Sequence, residues 1–265
     1  MAGIGSAFRE GFVQADGFRI RYMEAGDGPP LVHLHGSAGV WLTPAHDLLA
    51  RQFRVIAFEM PGFGAEENSR TSDNQAMAVT MAAAAEALGL DRYHVMGTSF
   101  GARIALWFAV QQAERVGALV LDAPSAIRPD GAAPVAARPE EFARRLYAHP
   151  ERMPPVPPTD PLLAARRSAL VSRLRGPARD TALEGVLPGL KVPVLVVFGT
   201  RDTVIPPEMG RIYQSLMPDA HLAFVYDAGH AVTMERPDAF SEIVADFLER
   251  DEAFMISRTR TVILP

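Results

Sequence analysis

The chain has 265 residues, 48% of them apolar and 22% charged, with a net charge of −5 at pH 7 and a pI near 5.8. That is enough apolar material for a full core, and it excludes the basic face that a nucleic-acid binder needs to meet phosphates. With no cysteine, disulfides, thiolate nucleophiles and cysteine metal sites are excluded as well. Of the basic residues 25 are Arg and one is Lys191; they are scattered along the chain, which reads as coding bias rather than a binding patch. The opening Met1 to Glu10 lacks a basic segment followed by an apolar one, and no apolar run approaches about 18 residues. A soluble, cytoplasmic protein is expected, with no membrane and no nucleic acid among its partners.

In chain order, two alternating segments, Phe8 to Val13 and Phe18 to Met23, flank the turn pair Asp16-Gly17 and predict a hairpin. Short apolar runs recur at Leu31 to Leu34, Val55 to Phe58, Tyr93 to Met96, Ala118 to Leu121, Val192 to Phe198 and Leu222 to Val225. Helical patterns separate most of them, at Ala76 to Leu88, Ala102 to Gln112 and Glu208 to Leu216, and Ala239 to Leu248 follows the last. Near-continuous apolar strands alternating with helices predict a parallel sheet covered on both faces, made mixed by the entering hairpin.

Between residues 126 and 187 the alternation stops, and Pro and Arg multiply around two helical stretches, Glu140 to His149 and Pro161 to Leu174. We read 126–187 as a helical cap inserted after the sixth strand, and 1–125 with 188–265 as the core. Pro154-Pro155 and Pro157-Pro158 are expected to stiffen the connector between the cap helices. The tail Phe254 to Leu264 reads as an edge strand, a packing arm or a dimer contact.

The chemistry gathers at strand ends, where ligands bind in a doubly wound sheet. Gly97-Thr98-Ser99-Phe100-Gly101 spells G-x-S-x-G between an apolar run and a helical pattern, the context of a nucleophile elbow. A serine hydroxyl needs such a sharp turn, an adjacent base and oxyanion donors before it attacks a carbonyl. His35-Gly36-Ser37 follows the third strand, Asp202 the seventh and His230 the eighth. Asp122, ending the sixth strand, is a rival to Asp202 as the acid.

The order Ser99, Asp202, His230, carried by HGSAG, MPGFG, GTSFG, GTRDTVIP and AGHAVTMERPDAF, resembles the α/β-hydrolases of the esterase and C–C hydrolase branch along the whole sequence. The resemblance implies an eight-stranded, mostly parallel sheet flanked by helices. It also implies Ser99 as nucleophile, His230 as base, Asp202 as acid, and an oxyanion hole from the N–H groups of Ser37 and Phe100. His35 is expected to brace its loop. Two features depart from the pattern: Glu59 stands where relatives commonly carry Asp, and Ala231 stands where the C–C hydrolases carry Trp.

No metal or organic cofactor is expected, because His46, His94, His149 and His221 lack partners at ligand spacing, and His33 reads as a satisfied interior side chain. Leu162, Leu163, Leu170, Val171 and Leu174 read as the packing stripe of a cap helix. Arg166 and Arg167 resemble the cap arginine that meets a substrate carboxylate in meta-cleavage-product hydrolases, although an exposed position is expected for them. The missing Trp places hydrolysis of a small to medium carboxylic ester first. Cleavage of a vinylogous keto acid comes second, and a ligand-binding, signalling protein of the same fold third. A monomer or homodimer acting on a small molecule is expected.

Overall fold

The computed structural model describes residues 3–127, 144–154, 159–175 and 180–250. In chain order the strands are β1 (Arg9–Ala15), β2 (Phe18–Ala25), β3 (Pro30–Leu34), β4 (Arg54–Phe58), β5 (Tyr93–Thr98), β6 (Val116–Asp122), β7 (Val194–Gly199) and β8 (Ala220–Val225). The helices are α1 (Pro44–Leu49), α2 (Asn74–Ala87), α3 (Gly101–Gln111), α4 (Pro161–Arg175), α5 (Thr181–Val186), α6 (Gly210–Leu216), α7 (Val232–Glu235) and α8 (Pro237–Arg250).

The hairpin turns on Asp16 and Gly17, both at positive φ (48° and 70°), the conformation of a tight turn whose twist suits its strands. β2 then pairs antiparallel with β4, and the remaining neighbours are parallel, in the order β1-β2-β4-β3-β5-β6-β7-β8. This is the eight-stranded, mostly parallel sheet that the sequence predicted. The chain leaves β3 for β4 on one side and returns to β5 on the other, so a crevice opens above the carboxyl ends of β3 and β5.

Strand parity divides the interior. Val32, Ile56, Val95, Leu121 and Val196 point into the layer of α2 and α3, while Leu31, Val55, Met96, Val120 and Leu195 point toward α1 and α8. Each large side chain buried in this way contributes roughly 1.5–3 kcal/mol, which is what holds short parallel strands of five to seven residues together. The side chain of Asp73 caps α2 by accepting from the Ala76 N–H at 2.8 Å.

Between β6 and β7 the described residues add no strand. Within the stretch expected to be helical to His149, residues 146–149 are not helical, and a 3-10 turn, Pro150–Arg152, follows. Leu170, Val171 and Leu174 of α4 are buried as expected, but Leu162 is 71% exposed, so the packing stripe covers only the second half of that helix. The helical pattern at Glu208 divides into a 3-10 turn, Pro207–Met209, and α6. The proline pairs of the connector lie in part, and the C-terminal tail wholly, outside the described residues.

Candidate active site

The elbow follows from close packing. Ser99 joins β5 to α3 with φ at +51°, a region that residues with side chains rarely occupy. A β-carbon at Gly97 would stand 2.6 Å from Ala105 Cβ and 2.7 Å from Ala102 Cα, and one at Gly101 would collide with the carbonyl oxygens of Leu34 and His35. Both glycines therefore let α3 fall back directly against β3 and β5, which thrusts Ser99 out at the strand ends. Ala123 and Asp227, beside the ends of β6 and β8, share the same strained region (φ 43° and 57°).

The structure brings Ser99, His230 and Asp202 together. His230 Nε2 lies 3.0 Å from Ser99 Oγ, and His230 Nδ1 lies 2.8 Å from Asp202 Oδ2. An ionised carboxylate can only accept, so Nδ1 carries the ring proton and Nε2 is left to accept from the serine hydroxyl. The other oxygen of Asp202 accepts from the N–H groups of Val204 (2.8 Å) and Ile205 (2.9 Å), which fixes the carboxylate. Burial works against a charged His230, but the Asp202 charge and hydrogen bond and the Asp122 charge outweigh it and raise its proton affinity, opposed by Arg145.

Asp122 makes no hydrogen bond to His230 among those formed by the described residues. Its Oδ2 accepts from the Thr98 hydroxyl at 3.2 Å, and its carbonyl accepts from the Ser99 N–H at 2.8 Å. Fully buried, it titrates near 7: burial raises it, against the lowering effects of His230 and Thr98.

Ser37 follows Gly36, where a β-carbon would lie 3.6 Å from Ser99 Cβ, and Phe100 begins the first turn of α3, where N–H groups lack helical acceptors. His35 braces this loop: its Nε2 accepts from the Met60 N–H at 3.1 Å and its Nδ1 donates to Gly36 O at 2.7 Å. Glu59, the departure, takes Arg21 as partner at 3.2 Å and folds its carboxylate onto Gly64, where the missing β-carbon makes room for the longer side chain.

Arg166 and Arg167 are half-buried rather than exposed, and both donate to main-chain carbonyls. Arg166 donates to Gly64 O at 3.0 Å, and Arg167 donates to Phe63 O at 2.7 Å and to Ala38 O, beside Ser37. Arg173 reaches Asn68 O in the same manner, so α4 grips the loops around the crevice by their carbonyls.

Two features escaped the sequence reading. His149 pairs with Asp227 (2.9 Å), which also holds Arg201 and Arg236, each at 2.9 Å, while Glu235 accepts from the N–H groups of His149 and Gly229. These contacts tie residues 144–154 to the His230 loop, and only α7, too short to show a period, could have signalled them. The second is a run of hydrogen bonds from α1 to Asp122 through His33 and His46. Both residues are buried, and His33 is satisfied as expected. No helix among the described residues is long and apolar enough to cross a membrane.

The sequence pattern of the alpha/beta hydrolase family matches residues 31–243. The chain belongs to that family. This hydrolase is 28% identical over 263 residues to a 2-hydroxy-6-oxo-6-phenylhexa-2,4-dienoate hydrolase of Comamonas testosteroni, covering 88% of this chain and 92% of the relative. It is likewise 28% identical over 264 residues to a 2-hydroxy-6-oxononadienedioate/2-hydroxy-6-oxononatrienedioate hydrolase of the same organism, covering 87% and 91%. In fold it resembles the 2-hydroxy-6-oxo-6-phenylhexa-2,4-dienoate hydrolase of Rhodococcus sp. strain RHA1, with a TM-score of 0.79 and 20% identity over 91% of this chain and 99% of that one. The hydrolase is an enzyme, and the non-catalytic, signalling alternative gives way.

Proposed function

We propose that this hydrolase cleaves the C5–C6 bond of a 2-hydroxy-6-oxo-dienoate, with Ser99 as nucleophile, His230 as general base and acid, Asp202 as the acid that orients it, and the N–H groups of Ser37 and Phe100 as oxyanion donors. The carrying observation is the continuous hydrogen-bonded line from Ser99 through His230 to Asp202 at the carboxyl ends of three strands. Ester hydrolysis, placed first from the sequence because Ala231 follows His230, would use the same atoms. C–C cleavage displaces it because relatives matched over nearly the whole chain bear names of that chemistry. We further propose that residues 126–187 form a cap over the site and bound the substrate.

The reaction begins with ketonisation: the 2-hydroxyl loses its proton and C5 gains one, leaving a 2-oxo group conjugated with the C3–C4 double bond. Ser99 Oγ attacks the C6 ketone as its proton passes to His230 Nε2, and the alkoxide settles between the two backbone donors, each worth about 3 kcal/mol of transition-state stabilisation. Collapse of the alkoxide breaks C5–C6, whose electrons enter the conjugated 2-oxo system, and the imidazolium returns its proton to the departing dienolate. Water, deprotonated by His230, then releases a carboxylic acid from Ser99.

The test is turnover of a 2-hydroxy-6-oxo-dienoate panel, followed by loss of dienolate absorbance, against nitrophenyl esters. Dienoate kcat/KM well above ester kcat/KM, with both lost in Ser99→Ala, is expected. Ester turnover with no response to any dienoate would return the assignment to an esterase.

A further inference from the structure

Beneath the sheet, on the face shared with α1 and α8, a chain of buried polar groups runs toward the reaction centre. His46 Nδ1 lies 3.1 Å from the Thr43 N–H, and a backbone N–H can only donate, so Nδ1 carries no proton. His46 Nε2–H therefore donates to His33 Nδ1 at 2.9 Å. His33 must then donate from Nε2 to Thr98 Oγ1 at 3.0 Å, and Thr98 passes its own proton toward Asp122 Oδ2 at 3.2 Å. Every donor in the line points the same way, so each bond polarises the next and all the dipoles present their positive ends to one carboxylate.

Asp122 is wholly buried, and its Oδ1 has no hydrogen-bond partner among the described residues. A buried carboxyl with a bare oxygen is costly to maintain as an anion unless its charge is used. The charges facing it are those of His230 and Asp202; those facing His230 are Asp202, Asp122 and Arg145. His33 meets only His46 and His35, and burial keeps it neutral, with the two neighbouring rings adding to that effect.

We propose that Asp122 is a second carboxylate of the reaction centre, a positioning residue whose anion is favoured by the one-way chain Thr43–His46–His33–Thr98 and, once formed, steadies the imidazolium of His230. This rests on the reading of His230 as the base of Ser99. Asp202 orients the ring through its hydrogen bond, and Asp122 acts through space, so removing Asp122 leaves the ring in place but weakens its hold on the transferred proton.

The experiment measures the rate of Ser99 modification by a fluorophosphonate against pH, which reports His230 without needing the natural substrate, in the wild type, Asp122→Asn and Thr98→Val. In Asp122→Asn the acidic limb is expected to move down by half a pH unit or more and the plateau to fall about tenfold. Thr98→Val strips the carboxylate of its donor, so it should match Asp122→Asn near pH 7 and return toward wild type at pH 9, where the stranded carboxyl ionises. Identical profiles in all three proteins would overturn the inference, as would a Thr98→Val defect that persists unchanged at pH 9. Absence of labelling in the wild type at every pH would instead remove the activated serine itself.

Discussion

A β-carbon placed on Gly97 would stand 2.6 Å from the β-carbon of Ala105, so the strand and helix on either side of Ser99 meet with no room for a side chain. Gly97→Ala must push α3 away from the sheet and carry Ser99 with it. We expect a loss of 1–3 kcal/mol in stability or more and, because a displacement of about 1 Å is enough, at least a hundredfold loss in kcat/KM. Gly185→Ala, where a β-carbon meets nothing within 4 Å, is the control and should retain full activity. Thermal melts and ester turnover of the two variants check this.

Replacing the members of the hydrogen-bonded line should give unequal losses. Ser99→Ala or His230→Ala is expected to lower kcat by roughly 10⁶-fold, and Asp202→Asn by about 10⁴-fold, because the amide favours the wrong tautomer of the ring. The double variant Ser99→Ala/His230→Ala should be no worse than either single one. Additive losses in single-turnover kinetics would contradict a shared proton relay.

His33, His35 and His46 are buried as neutral rings, His35 and His46 at about 4 and His33 held well below its ordinary value, all mainly by burial. A histidine lowered in the folded state lends stability above its unfolded value of about 6.5, and that stability drains away as pH falls toward 4. Stability should therefore drop steeply between pH 6.5 and 4. His46→Gln, which has no imidazole to protonate, should flatten that slope even where it lowers stability at pH 8. Urea melts across the range read both effects.

Asp122 has the opposite sign. Its carboxyl titrates near 7 in the fold against about 4 when unfolded, so it favours folding at low pH and opposes it as pH rises through 7. Asp122→Asn is expected to raise the melting temperature at pH 8 and to change it little at pH 4, while slowing the reaction. A variant less stable at pH 8 would mean that the carboxylate is held more favourably than its burial allows.

Arg167→Ala tests whether that guanidinium is spent on the protein or kept for the substrate. Its bonds to Phe63 O and Ala38 O brace the loop that carries Ser37. Dienoate and ester kcat/KM should therefore fall together, by roughly tenfold. A rise in dienoate KM alone, with ester turnover intact, would show that the side chain leaves its carbonyls to bind a carboxylate.

The order of strands and helices, the hairpin and the elbow were legible in the sequence because each rests on local rules: apolar runs, a turn pair that accepts positive φ, and glycines two residues either side of a serine. Ser99, Asp202 and His230 were legible because strand ends in such a sheet converge by topology. Helix α1 was not, since six residues show no period, and with it went the partner of His33. Nor did the sequence distinguish Arg166 and Arg167 as struts, because their acceptors are main-chain carbonyls that any residue supplies.

Finding the donor line that serves Asp122 depended on distances between segments 24 to 65 residues apart. Strand parity turns Thr98, Asp122 and His33 to one face. Only the packed sheet brings their polar atoms within reach, because hydrogen-bond direction and burial arise when separate strands are laid side by side.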